Sequence, residues 1–153
     1  MMNKIDIKND LYNRCIEYVE EKIKNASDAI ENAQRSANEE TKSSVGDKYE
    51  TGRAMLQMER NKFEIQLKES LKLKEFLDQI NVKKEYQNIQ PGSIVKTEKG
   101  NYFIAINAGK QQIGKEIYFT ISLASPIGRE LADKQKNDYY SFNGMKIKIL
   151  EVI

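Results

Sequence analysis

Two acids stand three positions apart in the stretch SSVGDKYETGRAM: Asp47 and Glu50, with Gly46 just before them and Lys42, Lys48 and Arg53 around them. A tight turn needs the glycine but has no use for the acids. The chain of 153 residues has no histidine and a single cysteine, Cys15. Serine–histidine and cysteine–histidine nucleophiles, histidine-containing zinc sites and an internal disulfide are therefore excluded. Any chemistry must run on carboxylates, lysines, tyrosines or a metal shared with another protein. Asp47 and Glu50 also have a plain structural use, because acids in a first helical turn complement the positive end of the helix dipole. The lysines and Arg53 have the charge to meet phosphates, or they solvate a loop.

The elements on either side must position these residues. From about Lys8 to Glu40, Tyr12, Ile16, Val19, Ile23, Ala26, Ile30, Ala33 and Ala37 recur in steps of four and three. This is a heptad seam without glycine or proline, and its residues shrink towards the distal end. Cys15 adjoins the seam and reads as packed rather than reactive. From about Lys48 to Ile80 the pattern is looser. Leu56, Phe63, Ser70 and Leu77 share one heptad slot, while Met55, Met58 and Ile65 form an adjacent stripe expected to pack between helices. Two helices of similar length with a short connection make an antiparallel hairpin, each arm roughly 45–50 Å long.

After Asn81 the composition changes, and Pro91-Gly92 marks a turn. SIVKT and NYFIAI read as strands around Glu98-Lys99-Gly100, and EIYFTISL reads as a third. Ser125 and Pro126 stand as N-cap and first residue of a short helix. YYSF and MKIKILEVI flank Asn143-Gly144, a strong hairpin signal. The expected fold class is α+β: an antiparallel coiled-coil hairpin over 1–82 with its tip near 41–52, then a small, mostly antiparallel sheet domain with one short helix over 83–153.

Charge is unevenly shared. Residues 1–80 carry 14 basic and 16 acidic side chains, and residues 81–153 carry 11 and 7. The second part favours an acidic partner, though four net charges are a weak basis for direct nucleic-acid binding. No apolar run approaches the ~18 residues of a membrane span, and the first residues lack the apolar core of a secretion signal. A cytoplasmic monomer with no membrane partner is expected.

The C-terminal pattern Ser125-Pro126-Ile127-Gly128-Arg129-Glu130-Leu131, with Lys134 and Asp138 following and Pro91-Gly92-Ser93-Ile94-Val95 ahead, resembles the C-terminal domain of Gre-type transcript cleavage factors. Asn137 stands where that family has a glycine. The layout of hairpin plus small domain is similar over nearly the whole chain. The resemblance implies an FKBP-like fold that docks on RNA polymerase at the rim of its secondary channel, with the hairpin reaching towards the active site. Ser125, Pro126, Gly128 and Arg129 would belong to the docking surface. Gly46, Asp47 and Glu50 match the start of the family's acidic tip, so both acids would help hold a Mg²⁺ that the polymerase mainly supplies, for cleavage of backtracked RNA. Lys42, Lys48 and Arg53 would meet the nascent RNA 3′ end within that complex only, and the protein alone would not be an enzyme. Thr51, Gly52, Arg53 and Ala54 replace the family's Asn-Ala-Glu-Tyr. That change fits a polymerase-binding regulator that does not cleave. A coiled-coil interaction protein outside transcription stays open as a further alternative, and a prolyl isomerase stands last.

Overall fold

The structure, a computed structural model, describes the backbone of residues 3–42 and 46–153 and the side chains of residues 3–39 and 51–153. Two long helices, α1 (Lys4–Lys42) and α2 (Gly46–Asp78), lead into a sheet unit. Its strands are β1 (Ile94–Thr97), β2 (Gly100–Ile104), β3 (Gly109–Ile113), β4 (Glu116–Ile121), β5 (Tyr139–Phe142) and β6 (Met145–Val152), with a short helix α3 (Pro126–Leu131) between β4 and β5. The architecture is α+β, a helical pair followed by a six-stranded, mostly antiparallel sheet.

By compactness the chain forms two units, Met1–Glu17 with Phe76–Ile153, and Tyr18–Glu75. In the helical unit the buried positions follow the heptad: Val19, Ala26 and Ala33 on α1, and Ser70 on α2. Leu56, Phe63 and Leu67 are half-buried on the same α2 face. Met55, Met58 and Ile65 do not pack between the helices; they are 66%, 72% and 60% exposed. The reason is angular. At ~100° per residue, the Leu56/Phe63/Ser70 slot faces α1 and the Met55/Met58/Ile65 stripe lies on the far side of α2. Arg60 spans the pair, bonding Gln34 of α1 while its Nε donates to Glu64 at 3.1 Å.

In the sheet unit the strand order is β3-β4-β2-β1-β6-β5. All neighbours are antiparallel except β2 and β4, which run parallel with Tyr102 opposite Phe119. Period-two alternation puts Val95, Tyr102, Ile104, Tyr140, Ile147 and Ile149 into one buried cluster, closed by Leu131 of α3 and Ile89. Asn143 and Gly144 both take positive φ, 52° and 75°, as a two-residue turn matched to strand twist requires.

Sequence patterning gives no strand at Gly109–Ile113, because Lys110, Gln111 and Gln112 are polar. β3 forms there as a sheet edge, paired with β4 from Gly109↔Thr120 to Ile113↔Glu116. Arg14 of α1 covers this strand, its Nη1 donating to the Gln112 carbonyl at 2.9 Å. The first turns of α1 are thus part of the sheet unit. Leu11 and Cys15 are buried there with Leu77 and Val82, the Tyr12 hydroxyl donates to the Leu77 carbonyl at 2.8 Å, and Lys4 pairs with Glu151 of β6. Among the described residues no helix is long and apolar enough to cross a membrane.

Candidate functional site

Two places bear on function: the joint between the long helices, and the Ser125–Leu131 segment with the turn that follows it. α2 begins at Gly46, so by position Asp47 falls in its first turn and Glu50, the fifth helical residue, at the start of the second. Their side chains, and those of Lys42 and Lys48, lie outside the described residues. Arg53 is described and exposed. It lines a small cleft of about 160 Å³ with Ala33, Gln34, Ala37, Asn38, Leu56, Gln57 and Arg60. Among the described residues no group of three or more carboxylates or cysteines gathers as a metal site.

The Ser125–Leu131 segment is built by close local contacts. Ser125 caps α3, its Oγ accepting from the Gly128 N–H at 3.1 Å and donating to the Ser122 carbonyl at 2.7 Å. Pro126 takes the first helical position, where its missing N–H costs nothing. Gly128 is fixed by sterics. A Cβ there would stand 2.0 Å from the Ser122 carbonyl oxygen and 2.8 Å from the Leu123 Cα. The glycine lets α3 lie directly on the chain leaving β4. Leu131 is fully buried, and the end of α3 is clamped to the segment before β1. Ile89 N–H donates to the Lys134 carbonyl at 2.9 Å, and Asp133 N–H to the Ile89 carbonyl at 3.0 Å.

Gly128 is therefore buried and the Ser125 hydroxyl fully engaged, which leaves Pro126 and Arg129 as the exposed members of this group. In the following turn Asn137 has φ 76°, the left-handed region that glycine adopts freely and asparagine tolerates. Its N–H donates to the Ile149 carbonyl at 2.9 Å, and the Asp138 carboxylate accepts from the Gln135 N–H at 2.8 Å.

Titratable groups inside the sheet unit are tuned mainly by burial. Burial pushes the Cys15 thiol up to about 12, with the Thr120 hydroxyl opposing part of the change, so the thiolate is scarce at neutral pH. Burial also raises Tyr102 to about 12, helped by Tyr140. Tyr118 rises through burial and its 2.6 Å bond to Glu116, which holds the Glu116 carboxyl below its usual range. Sequence reasoning missed Lys8. It is 1% exposed, its Nζ donates to the Lys84 carbonyl at 2.7 Å and sits 4.8 Å from the Tyr86 ring centroid, and burial lowers it to about 8. The available signal was spacing, since Lys8, Leu11 and Cys15 continue the buried stripe of α1 by steps of three and four.

No family model matches the chain, and no curated protein matches it.

Proposed function

We propose that the protein is a cytoplasmic transcription elongation factor that binds RNA polymerase through its secondary channel and stimulates cleavage of backtracked RNA. One combination of features carries the reading. A long helical pair has Gly46-Asp47-x-x-Glu50 at its joint, and it belongs to the same chain as a sheet unit whose Ser125-Pro126-x-Gly128 segment forms a capped, glycine-packed helix. Asp47 and Glu50 supply two of the six oxygens a Mg²⁺ takes, and the polymerase supplies its own acids. The ion contributes water activation and charge neutralisation at the phosphodiester. Lys42, Lys48 and Arg53 give positive charge near the RNA 3′ end, and the chain alone has no nuclease activity.

Arg53 favours a second reading, a regulator that binds polymerase without promoting cleavage, because a cation replaces an acid of the resembled tip. A stalled elongation complex with 3′-extended RNA decides between them. Shortening of the RNA by the intact chain, lost in Asp47→Ala plus Glu50→Ala, supports the cleavage factor. Polymerase binding with no shortening supports the regulator, and absence of binding rejects both.

A further inference from the structure

The β5–β6 ribbon has two faces of opposite character. Tyr140, Ile147 and Ile149 point into the core. By alternation the other face carries Lys146, Lys148 and Leu150 on β6, with Ser141 opposite Lys146 and Tyr139 opposite Lys148 on β5. Tyr139 and Leu150 are each 46% exposed. A register shift between β1 and β6 leaves Leu150 without a β1 partner, since Lys96 pairs with Glu151 and Thr97 with Ile149. The Lys146 ammonium stands over the Tyr139 ring, 4.6 Å from its centroid. Of the neighbouring acids, Glu98 accepts from the Lys148 backbone N–H at 3.2 Å without pairing with its ammonium, and Glu151 pairs with Lys4. Among the described residues neither ammonium has a carboxylate within ion-pair distance.

We propose that this face is the docking surface of the sheet unit, and that it seats an acidic protein surface presenting carboxylates beside an apolar side chain. The inference rests on the polymerase reading above, with the acidic surface belonging to the polymerase. Charge complementarity selects the occupant. Two uncompensated ammonium groups call for carboxylates, and an exposed tyrosine and leucine beside them supply the apolar contact around which such pairs lose water. A nucleic-acid strand fits less well, because two cations and one aromatic ring supply only a short phosphate track and a single stacking platform. The geometry of the Ser125–Arg129 segment points the same way. Its serine hydroxyl and glycine are engaged in folding, so only Pro126 and Arg129 of that group remain exposed to add contact.

Immobilised bacterial core RNA polymerase and the full chain test this at low and moderate salt. The intact chain should bind, more weakly as salt rises. Lys146→Glu plus Lys148→Glu should weaken binding by about tenfold or more, and Tyr139→Ala by a comparable factor. Unchanged denaturation midpoints certify the variants; if charge reversal disturbs folding, Lys146→Gln plus Lys148→Gln replaces it. Undiminished binding by folded face variants overturns the inference and leaves the polymerase reading standing. If the intact chain fails to bind, both fall. Tight binding of a labelled single-stranded RNA by the free chain, lost in the same variants, overturns the acidic-protein occupant.

Discussion

Replacing Lys8 by methionine probes how the start of α1 is held to the sheet unit. The ammonium is buried with one carbonyl acceptor and one aromatic face, and among the described residues no carboxylate bonds it. The charged groups around it are Glu85, which favours the ammonium, and Lys84, whose own ammonium stands 5.3 Å from the Tyr86 ring centroid. The fall from 10.5 to about 8 corresponds, at ~1.4 kcal/mol per pH unit, to roughly 3 kcal/mol of cost for keeping Lys8 charged in the fold. The sign follows from proton counting. Between the folded value near 8 and the unfolded value near 10.5 the unfolded chain binds more protons, so this group makes stability rise with pH across that window. Below pH 8 the full cost is present. Methionine keeps the unbranched stem and removes the charge. At pH 7 it also removes the bond to Lys84 and the contact with Tyr86, which offsets much of its gain. The decisive quantity is the difference between the two proteins. Urea denaturation from pH 7 to 10.5 should show the intact chain gaining roughly 3 kcal/mol on Lys8→Met. Groups that do not touch Lys8 contribute equally to both proteins and cancel. Parallel stability curves would refute the assignment of a buried, destabilised charge.

Four further outcomes follow from the same packing. Gly128→Ala, which drives a methyl group into the Ser122 carbonyl, should cost roughly 3 kcal/mol or prevent folding, read by thermal unfolding. Ser125→Ala should cost about 1 kcal/mol by removing the cap, and Ser125→Thr should recover most of it. Cys15 should react with a thiol reagent far more slowly in the native chain than in urea, with any native labelling growing as pH rises towards 12, because burial holds the thiol protonated. A fragment of residues 83–153 should fail to fold by circular dichroism, since it lacks Leu11, Cys15, Leu77 and Val82; restoring residues 1–17 and 76–82 through the whole chain restores the sheet.

Much of this architecture is legible in the residues. The heptad steps along α1, the Ser125-Pro126 cap and the Asn143-Gly144 turn are local signals whose physics acts within a few residues, and each stands where its pattern places it. What escaped depends on distant partners. β3 is a polar edge strand that exists because β4 and Arg14 pair with it. The Met55/Met58/Ile65 stripe is apolar and yet faces outward, since hydrophobicity alone does not say which stripe of α2 meets the partner helix. Lys8 looks like a solvated helix residue until Tyr86 and Lys84, more than seventy positions on, close over it. The Ser125–Arg129 segment was legible as a resemblance, but its internal bonds show that part of that pattern serves folding. Asn137 holds a left-handed backbone, which asparagine tolerates better than most residues.

In the proposed complex the joint between α1 and α2 stands beside the polymerase active site. An iron chelate tethered through Gly46→Cys tests it directly, with the buried native Cys15 left in place because its thiol is shielded. In a backtracked elongation complex, hydroxyl radicals from that iron should cut the RNA near its 3′ end and the polymerase chain around its catalytic acids. Cuts confined to the polymerase exterior, or none above an untethered control, would contradict the account.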